Sequence, residues 1–320
     1  MDGDELPVRA RGLVKRYGDV VAVDGVDLTV RPGHVYGYLG PNGAGKTTSL
    51  RMLLGLIRPT AGDVRLFGRD PLAVGARALD GVAGFVEAPR FYPYLTGRRN
   101  LELVADLDGD GARGRVDEVL DVVGMRDRAR HKVGGYSHGM KQRLGIAGAL
   151  LRRPRLLILD EPATGLDPAG MRDMRALIRR LADEGMTILY SSHLLAEVEE
   201  ICDRVAIVRA GSIVYEGALA ELRRTAAAGY EVRTSDDERA VAVARAGRGI
   251  DDVRRTEHGL HVAADEPAIG GLSVALVEAG LEILALTPRT ATLEDLFFSL
   301  TEDDPAADAA ASRNGATVAS

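Results

Sequence analysis

The stretch HVYGYLGPNGAGKTTSLRMLLGLI, residues 34–57, decides how this chain folds. Residues 34–40 read as a buried strand, and TTSLRMLLGLI has the apolar spacing of a helix. Between them lie Gly40, Pro41, Asn42, Gly43, Ala44, Gly45, Lys46 and Thr47, followed by Thr48. A glycine-rich loop between a strand and a helix, ending in Lys-Thr, is a cradle for phosphate. The glycines let the backbone wrap closely, so that successive N–H groups point at an anion. The helix N-terminus adds partial positive charge. Lys46 supplies a mobile cation for the terminal phosphates, and the Thr47 hydroxyl is a ligand for Mg²⁺. Only four of the 41 basic residues are lysine (Lys15, Lys46, Lys132 and Lys141), so a motif that requires lysine is improbable by accident.

Outward from this loop the same alternation recurs. Upstream, VRARGLVKRYG and VAVDGVDLTVRPG read as short strands separated by Gly-Asp and Pro-Gly turns. Downstream, strands are expected at 63–68, 82–89, 156–162 and 187–193, with a helix over 168–184 and short strands after Cys202. Strands alternating with helices predict an α/β fold built on a mostly parallel sheet. Residues 96–151 interrupt the scheme with helical spacing throughout and read as an inserted helical subdomain. From about residue 223 the pattern changes to strand-helix-strand-strand-helix-strand, the order of a small α+β, ferredoxin-like domain. The expected organisation is therefore 1–222, then 223–302 closed by a helix over 292–302, then a disordered tail over 303–320.

Composition limits the function classes. The 320 residues are 46% apolar and 28% charged, as in a soluble globular protein. No apolar run reaches the roughly 18 residues needed to span a bilayer, and the acidic start MDGDELPVRARG does not resemble a secretory signal. One cysteine, Cys202, excludes an internal disulfide and reads as a buried small apolar residue. A net charge of −6 argues against nucleic acid as the main partner.

A second motif follows at Leu156-Leu157-Ile158-Leu159-Asp160-Glu161-Pro162. An apolar strand delivers Asp160 at its carboxyl end, where phosphate-loop NTPases place an aspartate that holds Mg²⁺ through water. Glu161, one residue on, points differently and can polarise an attacking water. The segment Tyr136-Ser137-His138-Gly139-Met140-Lys141-Gln142-Arg143 then resembles the signature motif of ABC ATPases, usually Leu-Ser-Gly-Gly-Gln. Ser137 and Gly139 keep the two positions that contact the γ-phosphate in that family, while Tyr136, His138 and Met140 depart from its commonest form. Taken alone, Ser137 also reads as the N-cap of the helix that follows.

The resemblance extends in order along 8–222. Tyr17 matches the aromatic residue that stacks on adenine, Gly165-Leu166-Asp167 the loop that crosses to a partner subunit, and His193 the switch histidine at the γ-phosphate. Glu87 stands where the family usually has glutamine. With FYPYLTG (91–97) and the YSHGMKQR segment, it is similar to the bacitracin- and lantibiotic-resistance branch of ABC exporters. LEDLFFSLTE (293–302) resembles the tail of the daunorubicin-resistance type.

What the resemblance implies is an ATPase that uses ATP and Mg²⁺ and closes head-to-tail with a second copy or a paired ATPase. Each site would combine the phosphate loop, Asp160, Glu161 and His193 of one subunit with Ser137 and Gly139 of the other. Glu87 would join Thr47 and Asp160 around the metal. A separate membrane-spanning permease would carry the substrate and hold the chain at the cytoplasmic face of the membrane. A soluble ABC ATPase of DNA or ribosomes is the alternative, but the chain has neither long coiled coils nor two motif sets. A non-hydrolysing regulator would not need both Glu161 and His193.

Overall fold

The computed structural model describes residues 6–108, 111–225, 228–256, 259–290 and 297. The tail over 303–320 lies outside them, as does the helix over 292–302 except Phe297, which is helical and buried. The chain divides into two compact units between Leu219 and Ala220, three residues before the expected boundary.

The first unit opens with strands β1 (Val8–Tyr17), β2 (Val20–Val30) and β3 (Val35–Leu39), then helix α1 (Lys46–Leu53) and β4 (Ala61–Arg65). A one-turn helix α2 (Pro71–Val74) precedes β5 (Val82–Phe85). Helices α3 (Gly97–Asp108), α4 (Val116–Val122) and α5 (His138–Leu150) make up the helical block. Alternation then resumes with β6 (Leu156–Asp160), α6 (Pro168–Asp183), β7 (Thr187–Ser192), α7 (Leu195–Ile201), β8 (Arg204–Arg209) and β9 (Ser212–Ala218).

Two sheets result. One is antiparallel in the order β2-β1-β4, and the other runs β5-β6-β7-β3-β8-β9, parallel except for the β8–β9 pair. Every residue of β3, β6 and β7 is buried. This is why these strands read as continuous apolar runs: helices cover both faces of a parallel sheet. The first two strands are longer than expected, at 10 and 11 residues. Register shifts between Ala10 and Arg16 break their alternation, which made one long strand look like short ones.

The helices bury the faces their spacing predicts. On α6 these are Met174, Leu177, Ile178 and Leu181, and the Asp167 side chain accepts from Gly170 N–H to cap the first turn. Helix α5 lies so close to the end of β5 that a Cβ at Gly145 would be 2.6 Å from Pro89 Cγ. Cys202 is buried, and burial pushes its thiol pKa well up. No helix among the described residues is long and apolar enough to cross a membrane.

After α8 (Leu219–Thr225), the second unit runs β10 (Ala228–Thr234), α9 (Asp237–Arg245), β11 (Ile250–Thr256), β12 (Gly259–Ala264), α10 (Glu266–Glu278) and β13 (Ile283–Thr290). Its sheet is antiparallel in the order β11-β12-β10-β13. A core of its own includes Val232, Leu260, Val262, Leu272 and Leu276. Asp236 and Asp265 cap the two helices by accepting from Arg239 N–H and Ala268 N–H.

One glycine is tightly constrained by β5–β6 pairing. Gly84 has φ 152°, and a Cβ there would sit 1.9 Å from the carbonyl oxygen of Ile158. Gly84→Ala should therefore lower stability by about 2 kcal/mol or more, the scale of a forced backbone shift plus strain. An unchanged urea midpoint would contradict this reading.

Candidate functional site

Three loops meet at the carboxyl ends of β3, β6 and β7, because parallel register aligns Leu39 with Ser192 and Asp160 with Ser191. In open α/β sheets this is the edge where ligands bind. Gly40 N–H, at the start of the phosphate loop, donates to Ser192 O at 3.2 Å. A Cβ on Gly40 would be 2.4 Å from Val208 O, and one on Gly45 2.3 Å from Ala22 O, so neither position admits a side chain. Gly45 also takes φ 95° to turn the loop into α1. No side-chain hydrogen bond caps α1, which leaves its first N–H groups for an anion.

Lys46 is 5% exposed and donates to Gly40 O at 2.7 Å and Pro41 O at 3.1 Å. Its Nζ also lies 3.2 Å from Glu161 Oε1. Thr47 Oγ1 donates to Asp160 Oδ2 at 2.9 Å. Lys46, Thr47 and Glu161 line a cleft of about 220 Å³ together with Ala22, Thr48 and the loop residues Asn42, Gly43 and Gly45.

Glu161 sits just past β6 with φ 46°, a left-handed conformation that costs a non-glycine residue about 1–3 kcal/mol. That turn separates it from Asp160 and aims its carboxylate at the loop. Thr164 Oγ1 donates to Oε2 at 2.9 Å, and His193 Nδ1 lies 3.0 Å from the same oxygen. Nδ1 therefore carries the proton, since a carboxylate only accepts. Burial pushes the Glu161 pKa up, but Thr164, Lys46 and His193 outweigh it and the net shift is downward. The carboxylate is thus charged throughout the neutral range.

The pattern of the ABC transporter family matches residues 23–164. Bacitracin transport ATP-binding protein BcrA of Bacillus licheniformis is 41% identical over 295 residues, covering 92% of this chain and 96% of its own length. The chain belongs to the ATP-binding proteins of ABC transporters. Daunorubicin resistance ATP-binding protein DrrA3 of Streptomyces coeruleorubidus is 38% identical over 317 residues, covering 94% and 97%. Among solved structures, the ATP-binding cassette MJ0796, described as dimeric in a post-hydrolysis state with ADP and Pi, aligns with TM-score 0.60. It shares 25% identity over 66% of this chain and 98% of its own. The protein is accordingly an ATP-binding ATPase.

Of the residues singled out in the sequence, the structure brings Lys46, Thr47, Asp160, Glu161 and His193 together. Ser137 and Gly139 do not line the cleft. Ser137 caps α5, accepting from Met140 N–H at 3.2 Å, and lines a separate cavity of about 630 Å³ with Arg128, Lys132 and Tyr136. Tyr17 ends β1 half exposed, with Lys15 Nζ 5.0 Å from its ring centre.

Glu87, expected beside the metal, does not line this cleft. It lies two residues beyond β5 at φ 70°, exposed, and its carboxylate is held by the Arg51 guanidinium of α1. Among the described residues, no three acidic, histidine or cysteine side chains converge as a metal site.

Ser191 is the residue the sequence did not single out. Fully buried, its hydroxyl donates to Asp160 Oδ1 at 2.5 Å and accepts from Glu161 N–H at 3.0 Å. A serine at the buried end of an otherwise apolar strand is the signal that could have found it.

Thr164→Val removes a hydroxyl donor at nearly constant volume, so the Glu161 pKa should rise. A depressed carboxylate pKa confers stability that is complete above the unfolded-state value and lost only as pH falls through the lowered one. In the variant, both that loss and the acidic limb of the pH–rate profile should move to higher pH. A limb that does not move would show that Thr164 is not controlling the charge.

Proposed function

We propose that this chain is the motor of an exporter, in which ATP-driven closure of two ATP-binding subunits drives a separate membrane-spanning subunit. The observation that carries this reading is the Glu161 carboxylate, held at the mouth of the phosphate loop by Lys46, Thr164 and His193. The names of the relatives favour a drug or antibiotic among the drug-, antibiotic- or lipid-like substrates such an exporter could carry, since one is a bacitracin transport protein and another a daunorubicin resistance protein. The site of action follows from the partner: the chain works in the cytoplasm, on the inner face of the membrane. Glu87 and the exposed Tyr92 and Tyr94 lie on one connecting stretch, and the membrane partner docks there. A net charge of −6 favours a protein partner over nucleic acid.

Nucleotide binding and hydrolysis divide among the residues as follows. The loop from Gly40 to Thr48 wraps the phosphates with backbone N–H groups, Lys46 neutralises the terminal phosphate charge, and Tyr17 stacks on adenine. Thr47 and Asp160 would hold Mg²⁺; their two hard oxygens, already adjacent, suit an ion that takes few protein ligands. Bound there, the ion neutralises charge on the phosphate oxygens. Glu161 accepts a hydrogen bond from the attacking water as it adds to the γ-phosphorus, and the bond to the ADP oxygen breaks. His193, held by Glu161 through Nδ1, would contact the γ-phosphate with its other edge.

Closure follows from what one subunit does not place in its own cleft. Ser137 and Gly139 reach a γ-phosphate only across a head-to-tail interface, so ATP adds contacts that exist in the closed dimer alone. Hydrolysis removes them, and the population shifts back to the open form. The dimeric relative supports this assembly.

Lys46→Ala should weaken ATP binding roughly tenfold or more, the worth of a lost charge-assisted hydrogen bond. Unchanged affinity by fluorescent-nucleotide titration would remove the phosphate-loop assignment. Glu161→Gln should keep ATP affinity while lowering the rate about a hundredfold or more. A dimer should then accumulate with ATP and Mg²⁺, and a species that stays monomeric on size exclusion would contradict the closure step.

A further inference from the structure

Side chains along β7 alternate between two jobs, as successive residues of a strand must. Ser191 faces Asp160 and Glu161. Its neighbours Tyr190 and Ser192 point the other way, and both donate to one oxygen of Glu197 on α7. The distances are 2.7 Å from Tyr190 and 2.8 Å from Ser192, each to Oε2. Glu197 is only 3% exposed, and its Oε1 finds no hydrogen-bond partner among the described residues. Burying a carboxylate with one oxygen unpartnered is costly, so a purely apolar contact would hold α7 to the sheet at lower cost.

What the carboxylate does is visible one bond further on. Ser192 Oγ also accepts from Leu194 N–H at 2.9 Å. Leu194 is the N-cap of α7, and its side chain makes no capping hydrogen bond. In a capping box, a glutamate at the third helical position binds the N-cap N–H directly. Glu197 occupies that third position, but here the Ser192 hydroxyl stands between. The result is a chain from N–H to O–H to carboxylate, in which each bond polarises the next. It ties down the residues on either side of His193, whose Nδ1 meets Glu161.

We propose that Glu197 is a positioning residue for ATP hydrolysis, acting through the Ser192 hydroxyl and the Leu194 N–H to hold His193 against Glu161. The inference rests on the role given to His193 above. It predicts that loss of Glu197 is felt in the rate of the chemical step, with nucleotide affinity largely intact, because Glu197, Ser192 and Leu194 do not line the phosphate cleft.

The test uses the full chain and the variants Glu197→Ala, Glu197→Gln, Ser192→Ala and His193→Ala, with Glu197→Ala and Ser192→Ala each also combined with His193→Ala. Glu197→Ala should lower kcat about tenfold or more while ATP affinity stays within about twofold, the pattern of a lost transition-state interaction. Glu197→Gln keeps an acceptor for both hydroxyls and should recover most of the rate. Added to His193→Ala, neither Glu197→Ala nor Ser192→Ala should lower kcat further, since residues acting as one unit are not additive. If Glu197→Ala fails to fold, Ser192→Ala carries the same test, with a smaller drop in kcat and the same non-additivity. Rate losses that multiply with His193→Ala, or a folded variant with the parent rate, would overturn the inference. A normal rate in His193→Ala alone would instead overturn the reading of His193 on which it depends.

Discussion

The buried hydroxyl of Ser191 is the contact on which the site depends. It binds the Asp160 carboxylate and the Glu161 N–H at once, across two strands whose register pairs Asp160 with Ser191. Because β3 lies on the other side of β7, with Leu39 opposite Ser192, the phosphate loop is drawn to the same edge. No loop has to find the others independently. Parallel pairing places all three, and the apolar burial of β3, β6 and β7 makes the pairing rigid.

Charge is the second constraint. Lys46 is nearly buried and would be costly without the two loop carbonyls and the Glu161 carboxylate around it. Glu161 reaches that position only by adopting a left-handed backbone. The strain is local, whereas the sheet that enforces it is large, which is how catalytic sites maintain unfavourable geometry. The same arrangement favours the ionised form of Glu161, and its carboxylate accepts from His193 Nδ1, so the two side chains are held together before any nucleotide contact.

Much of this was legible in the sequence because the phosphate loop is a statement about backbone. Glycines at 40 and 45 are needed where a Cβ would strike Val208 or Ala22, and that need appears directly as residue type. The α/β alternation and the apolar strand ending in Asp160-Glu161 were legible for a similar reason. What could not be read were choices made by tertiary partners. Glu87 is expected beside a metal; in the structure its backbone is left-handed and its carboxylate is held by the Arg51 guanidinium, 36 residues earlier, a pairing that no local pattern announces. Ser191 and Ser192 are adjacent and chemically identical, yet strand alternation gives them opposite roles. Only the identity of the facing carboxylate distinguishes them.

In the proposed closed dimer, hydrolysis needs the phosphate loop of one copy and the Ser137 segment of another. Mixing two inactive variants tests it most directly. Lys46→Ala damages one half of a composite site and Ser137→Arg the other, so each alone should hydrolyse almost no ATP. A mixed dimer contains one site built from the intact Ser137 segment of the first and the intact loop of the second. Co-expression of differently tagged copies, followed by tandem purification, should therefore restore ATPase activity well above either variant. A purified, folded mixed dimer with no more activity than its parents would rule out the shared site and place the whole of it within one chain.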